Sequence, residues 1–138
     1  MDTIGRGIVA GFIAMLAVSL LLDPLVLLSG TRWTQESGLG LRLHFFIGPV
    51  IWGAAFAFFH DHVGGPSWLR GIVFASALWI VVNSILALTG RLGLSSGAVA
   101  LAAGLAVHVV YGALLGAVYG ALGSGAAPSA RHDQPARS

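Results

Sequence analysis

The chain has 138 residues, of which 57% are hydrophobic and 9% charged, with a formal net charge of +2 and no cysteine. A soluble domain carries about 25% charged residues. The composition therefore excludes a water-soluble globule, a disordered chain, a disulfide scaffold and a nucleic-acid binder, and leaves an integral membrane protein. A helix needs about 20 apolar residues to cross a bilayer core of about 30 Å, and the charges mark off four runs of that length. The first passes Asp23-Pro24 and predicts a span over 7–28. The second, over 39–59, ends at His60-Asp61-His62. The third lies between Arg70 and Arg91, over 70–90, and the fourth over 97–122. Residues 1–123 make up the four-span domain. Residues 124–138 mix Gly, Ala, Pro, Ser and Arg and read as a disordered polar tail. The runs are rich in Leu, Ala, Val and Gly and lack the alternation of a membrane β-barrel. The fold class expected is all-α, a four-helix transmembrane bundle of two tandem helical hairpins.

Orientation follows from arginine placement. Arg6, Arg70, Arg131 and Arg137 share one side, and Arg32, Arg42 and Arg91 the other. Positive charge favours the cytoplasm, so both termini are expected there. Trp33 and Trp68 flank spans, as interfacial anchors do.

Residues 6–9 read Arg-Gly-Ile-Val, and so do residues 70–73. The same offset of 64 carries Gly40 to Gly104, His44 to His108 and Gly48 to Gly112. A parallel internal repeat of two spans each predicts a pseudo-twofold axis along the membrane normal. It also predicts His44 and His108 at similar depth on related helices.

Residues four apart lie on one helix face. Span 4 carries Gly104, His108, Gly112, Gly116 and Gly120 at that spacing, and span 2 carries Gly40, His44 and Gly48. In lipid, small residues let helix backbones approach closely, so these ridges are read as packing surfaces. They are also candidates for contact with a second copy of the chain. Gly48 and Gly112 could alternatively clear room for a flat ligand beside the histidines.

An ionisable residue inside a span is costly and marks a functional candidate. Asp23, His44 and His108 qualify. Each histidine can be a neutral ring bonded to Ser19, Asn83, Ser84, Tyr111 or a backbone carbonyl. The pair can instead be cofactor ligands, for haem, a metal or a quinone headgroup. With Asp23 they can also form a proton or ion path. His60-Asp61-His62 reads as a boundary marker before the Gly64-Gly65-Pro66 turn, or as a small metal-binding tract. No Walker loop, dinucleotide fingerprint, His-Glu-x-x-His or Gly-x-Ser-x-Gly occurs, and an enzyme is not expected.

His44-Phe-Phe-Ile-Gly48 is followed by Trp52-Gly53 and then Trp68-Leu-Arg-Gly71. His108-Val-Val-Tyr-Gly112 then continues through Gly116 to Gly120. Over residues 4–122 this pattern resembles a group of small bacterial inner-membrane proteins. That group is catalogued as a domain of unknown function and is loosely similar to the YagU-like membrane proteins. The resemblance implies a multi-helix protein of the bacterial inner membrane and brings no activity, cofactor or site residue. The function expected is that of a non-enzymatic accessory or structural membrane protein with an intramembrane His44/His108 pair. A haem, quinone or metal module and a small proton or ion transporter are the alternatives. No cofactor is the default, with haem the candidate. The expected partners are the bilayer and either a second copy or a partner membrane subunit, with no nucleic acid.

Overall fold

A computed structural model describes the backbone of residues 1–29, 38–90 and 97–124, and the side chains of residues 1–21, 46–90 and 97–124. Among these residues the chain is all helical. The helices are α1 (Thr3–Ser29), α2 (Gly38–Phe59), α3 (Ser67–Leu88) and α4 (Ala98–Ser124), with a 3-10 turn at His60–His62 after α2. Thr3–Leu21, Ser67–Leu88 and Ala98–Ser124 are each long and apolar enough to cross a membrane, with mean hydropathies of 2.0, 2.2 and 2.1.

Local chemistry sets the ends. Asp2 starts α1, its carboxylate accepting the Gly5 N–H at 2.8 Å, as an N-cap does. The helix then runs through Pro24 to Ser29. Pro49 likewise sits inside α2, which membrane helices tolerate because neighbouring groups re-satisfy the freed carbonyl. Gly65 has a φ of 99°, closed to residues with a Cβ, and turns the chain into Pro66, the N-cap of α3. Helix α3 therefore begins at Ser67, three residues before Arg70. It stops before Gly90, whose φ of 66° is the left-handed conformation common just beyond helix ends.

The bundle is inside-out by the standard of a soluble protein. Many of its buried residues are small, among them Ala10, Ala14, Ala57 and Ala75, and the large ones are Phe56, Tyr111, Leu115 and Tyr119. Leu16, Leu20, Phe46, Phe58, Ile80, Ile85 and Leu88 face outward. Lipid is as apolar as leucine, so nothing drives large apolar side chains inward, and close backbone approach decides the packing.

That approach is made by glycine on glycine. A Cβ added at Gly7 would overlap the Gly53 carbonyl, and one at Gly53 the Gly7 carbonyl. The α3–α4 hairpin repeats the arrangement with Gly71 and Gly112, whose added Cβ atoms would each overlap the other's carbonyl. Gly11 rests on Pro49, and Gly116 rests on the Ser67 backbone. Gly104 lies against the Trp79 indole, Gly120 against Ser67, and Gly48 is near Met15 and Trp52. Most ridge glycines with described surroundings thus meet a neighbouring helix of the same chain. Gly40 lies outside the residues whose side-chain surroundings are described.

The two hairpins are not superposable by one sequence shift. Gly7 and Gly71 stand 64 positions apart, whereas their partners Gly53 and Gly112 stand 59 apart. In this register the counterpart of His108 is Pro49, five residues beyond His44. The helix contacts are also unequal. Helix α1 packs along both α2 and α4, and α3 along α4, while α2 and α3 touch slightly. They meet at one end, where Phe56 and Phe59 lie on Phe74 with ring centroids 5.5 and 5.3 Å apart. That end also holds the start of α1 and the end of α4, and is called the basal end below.

Candidate functional site

Among the described residues, several polar side chains inside the helices bond to their own backbone. Ser19 Oγ donates to the Met15 carbonyl at 2.9 Å, and Asn83 Nδ2 to the Trp79 carbonyl at 2.8 Å. His108 Nδ1 lies 2.8 Å from the Gly104 carbonyl, which can only accept, so this nitrogen carries the proton. The His108 ring also meets Trp79 edge-on, at 6.4 Å between centroids. A backbone carbonyl was among the partners considered for this histidine, and the carbonyl found is on its own helix. The side chains of Asp23 and His44 lie outside the described residues.

Among the described residues the densest polar cluster lies at the basal end, where the sequence offered the His60-Asp61-His62 tract as its one candidate. Phe56 (α2) and Leu115 and Tyr119 (α4) are fully buried there. Tyr111, Leu115 and Tyr119 form a second stripe at four-residue spacing, beside the glycine ridge. The Tyr119 ring is the hub. The Arg6 guanidinium of α1 lies over it, with Cζ 4.1 Å from the ring centroid. His60 sits 4.6 Å away by ring centroids, and Phe56 presents its edge at 5.3 Å. Gly123 keeps the place beside Arg6 open, because a Cβ there would stand 2.8 Å from Arg6 Nη1.

His60 organises the turn. Its Nδ1 donates to Asp61 Oδ1 at 2.9 Å, since a carboxylate only accepts. Its Nε2 lies 2.9 Å from Ser67 Oγ, at the start of α3. With the Nδ1 proton so assigned, Arg70 Nη1 bonds to the His60 carbonyl at 2.9 Å, and its approach to the ring nitrogen at 3.2 Å is no hydrogen bond. Arg70 Nε donates to the Gly65 carbonyl at 2.8 Å. His62 Nδ1 donates to the Phe58 carbonyl at 2.8 Å. These bonds tie the turn between α2 and α3 to both helices. His60-Asp61-His62 is therefore a structural brace, and among the described residues no three His, Cys, Asp or Glu side chains gather as a metal site.

Asp61 is exposed, and its carboxyl is held below the usual carboxylate range. The hydrogen bond from His60 is the main cause, and the positive charges of His60, Arg70 and Arg6 add to it. The stabilisation is present above the unfolded value of 3.8 and is lost as pH falls through the lower folded value. The melting temperature of the wild type is expected to drop slightly across that acid window. Asp61→Asn should flatten the profile there, as thermal melts in detergent at stepped pH would record.

Three buried polar atoms have no hydrogen-bond partner among the described residues: Arg6 Nε, Tyr111 Oη and Tyr119 Oη. Two of them belong to the stacked pair at the basal hub. The sequence signal that could have found this hub is the Arg6/Arg70 pair opening each copy of Arg-Gly-Ile-Val, together with the Tyr111-Leu115-Tyr119 stripe.

A family model described as a family of unknown function (DUF6789) matches residues 1–129. No curated protein and no solved structure matches the chain.

Proposed function

The chain belongs to this family of unknown function, and we propose that it is a non-enzymatic structural or accessory protein of the bacterial inner membrane, with both termini cytoplasmic. The observation that carries the reading is the fate of the polar groups within the helices. Ser19 and Asn83 each bond to a carbonyl four residues back on their own helix. Such bonds satisfy a polar side chain in lipid without building a path or a reaction centre. The glycine seams support the same reading, because they invest the close-contact surfaces in the bundle itself.

A second reading has one observation in its favour. A metal-bound histidine usually donates its other ring N–H to a carbonyl or carboxylate, which fixes the tautomer. His108 Nδ1 makes such a bond to Gly104. A haem or metal held by His44 and His108 is therefore the alternative.

The two readings separate in one experiment. The detergent-purified protein is scanned for absorption, oxidised and then dithionite-reduced, with metal analysis on the same sample. The structural reading expects a featureless visible spectrum, no stoichiometric metal, and a melting temperature for His108→Gln within a few degrees of wild type. A Soret band that shifts on reduction and disappears in His108→Ala would overturn it in favour of a haem module.

A further inference from the structure

We propose that His60 is a pH-sensitive clasp between the two hairpins, holding the basal end closed while neutral and letting it open when protonated. The placement comes first. The shifts of 64 and 59 positions that relate the two glycine seams also carry Arg6 to Arg70 and His60 to Tyr119. The contacts keep that relation. Arg6 crosses from the first hairpin to the Tyr119 ring of the second, with Cζ 4.1 Å from the centroid. Arg70 crosses from the second hairpin to His60 at the end of the first, with Nη1 2.9 Å from its carbonyl and 3.2 Å from Nδ1. The two rings meet each other, 4.6 Å apart by centroids. Two related arginine–ring pairs thus close the basal end, and one has an imidazole where the other has a phenol. Of the two rings only an imidazole ordinarily changes charge between about pH 5 and 8.

The neutral ring matches its surroundings. Nδ1–H donates to Asp61, and the bare Nε2 accepts from Ser67 Oγ at 2.9 Å. The side chain is 14% exposed and meets Phe56 edge-on. A second proton goes to Nε2. Ser67 must then turn from donor to acceptor. The ring becomes a cation whose N–H groups stand against another donor, Arg70 Nη1, at 3.2 and 3.5 Å.

The charged and titratable neighbours decide the sign. Helix α3 supplies Arg70 and α1 supplies Arg6, both positive, and α4 supplies the neutral Tyr119. Helix α2 carries no charged residue from 46 to 59. In the turn, His62 is exposed and bonded to the Phe58 carbonyl. Asp2 is occupied with the Gly5 N–H. Among the described residues Asp61 is the one carboxylate on the ring, and it is 75% exposed, so water screens its attraction. The Arg70 repulsion acts on a ring enclosed by Phe56 and Tyr119, where screening is weaker. In the open form the ring leaves the guanidinium and meets water, so that form takes up the proton more readily. The closed form is therefore favoured above the histidine range and loses ground as pH falls through it. Among the described residues α2 and α3 otherwise touch slightly, through Phe56 and Phe59 on Phe74.

The chain has no cysteine, so two spin labels can be placed without background. Phe58→Cys and Ala121→Cys use exposed positions near the ends of α2 and α4. The distance between the labels is read by double electron–electron resonance in nanodiscs at about pH 8 and about pH 5, on either side of the histidine range. The open-to-closed ratio is expected to rise about tenfold on acidification, within reach of one unit charge at this range. His60→Tyr repeats the ring of Tyr119 and should stay closed at both pH values. Should the larger ring not fit, His60→Gln is the uncharged variant with the same expectation. Asp61→Asn removes the opposing charge and should enlarge the change between the two pH values, whereas Arg70→Gln should reduce it. A wild-type distance that is unchanged or shortens on acidification overturns the proposal. So does opening of both His60 variants to the wild-type extent, which places the titrating group elsewhere. Opposite responses of the Asp61 and Arg70 variants also overturn it, because charge repulsion is then not the cause.

Discussion

Gly112→Leu is expected to unfold the bundle or to leave it melting far below the wild type. Gly112 is buried on α4, and even a Cβ there would overlap the Gly71 carbonyl and stand 2.8 Å from the Ala75 Cβ. Ordinary overpacking costs about 1–3 kcal/mol, because side chains can shift to relieve it. Here the obstacle is the backbone of another helix, so relief requires the two helices to separate. Separation also breaks the matching contact at Gly71, whose added Cβ would overlap Gly112. The loss should exceed about 3 kcal/mol. It is measured by helicity during denaturation in mixed detergent micelles. Gly64→Ala is the control, since nothing lies within 4 Å of the position where its Cβ would stand. If Gly112→Leu melts with Gly64→Ala, the α3–α4 seam does not close at these glycines.

Phe56→Ala should have the second largest effect. Phe56 is fully buried and is one of the few large side chains in the interior. Its ring contacts Phe74 of α3, Tyr119 of α4 and His60 in the turn. It therefore joins α2 to the other hairpin at the end where α2 and α3 meet. In water, Phe→Ala in a core costs about 3–5 kcal/mol from lost transfer and cavity terms together. In a bilayer the transfer term shrinks, because lipid would solvate the ring as well as the protein does. The cavity and the three ring contacts remain, and a loss of about 3 kcal/mol is expected. Phe58, two residues on, is 66% exposed, and Phe58→Ala should change stability by less than about 0.5 kcal/mol. Equal effects from the two substitutions would mean that the basal end is not packed around Phe56.

These two predictions draw on different depths of information. The candidate importance of Gly112 was legible in the spacing Gly104-His108-Gly112-Gly116-Gly120, because four-residue spacing places small residues on one face. Which glycine it meets was not legible. The sequence offset of 64 pairs Gly112 with Gly48, whereas in the packing register Gly112 corresponds to Gly53, since Gly71 faces Gly112 and Gly7 faces Gly53. Sliding one helix past another by a turn keeps the same stripe in contact, so a periodic pattern leaves the register open. The basal hub was less legible still. Arg6, Phe56, His60, Ser67 and Tyr119 come from all four helices and the turn, and no local pattern marks them as neighbours. The intramembrane candidates were chosen by a sound rule, that ionisable groups in lipid are costly. For His108 that cost is met in part by the Gly104 carbonyl four residues back, a bond that any helix offers.

The sequence by itself determined that this chain is helical and that three of its helices are long and apolar enough to cross a bilayer. Hydropathy and the Gly64-Gly65-Pro66 turn act within a few residues of themselves, so a linear reading captures them. The tertiary structure alone decided that α1 lies along α4 while α2 and α3 meet at one end, and that the hairpins close 59 rather than 64 positions apart in their second helices. It alone brought Arg6 onto Tyr119. These features depend on which small residues let two backbones touch. That is a property of surfaces brought together from distant parts of the chain.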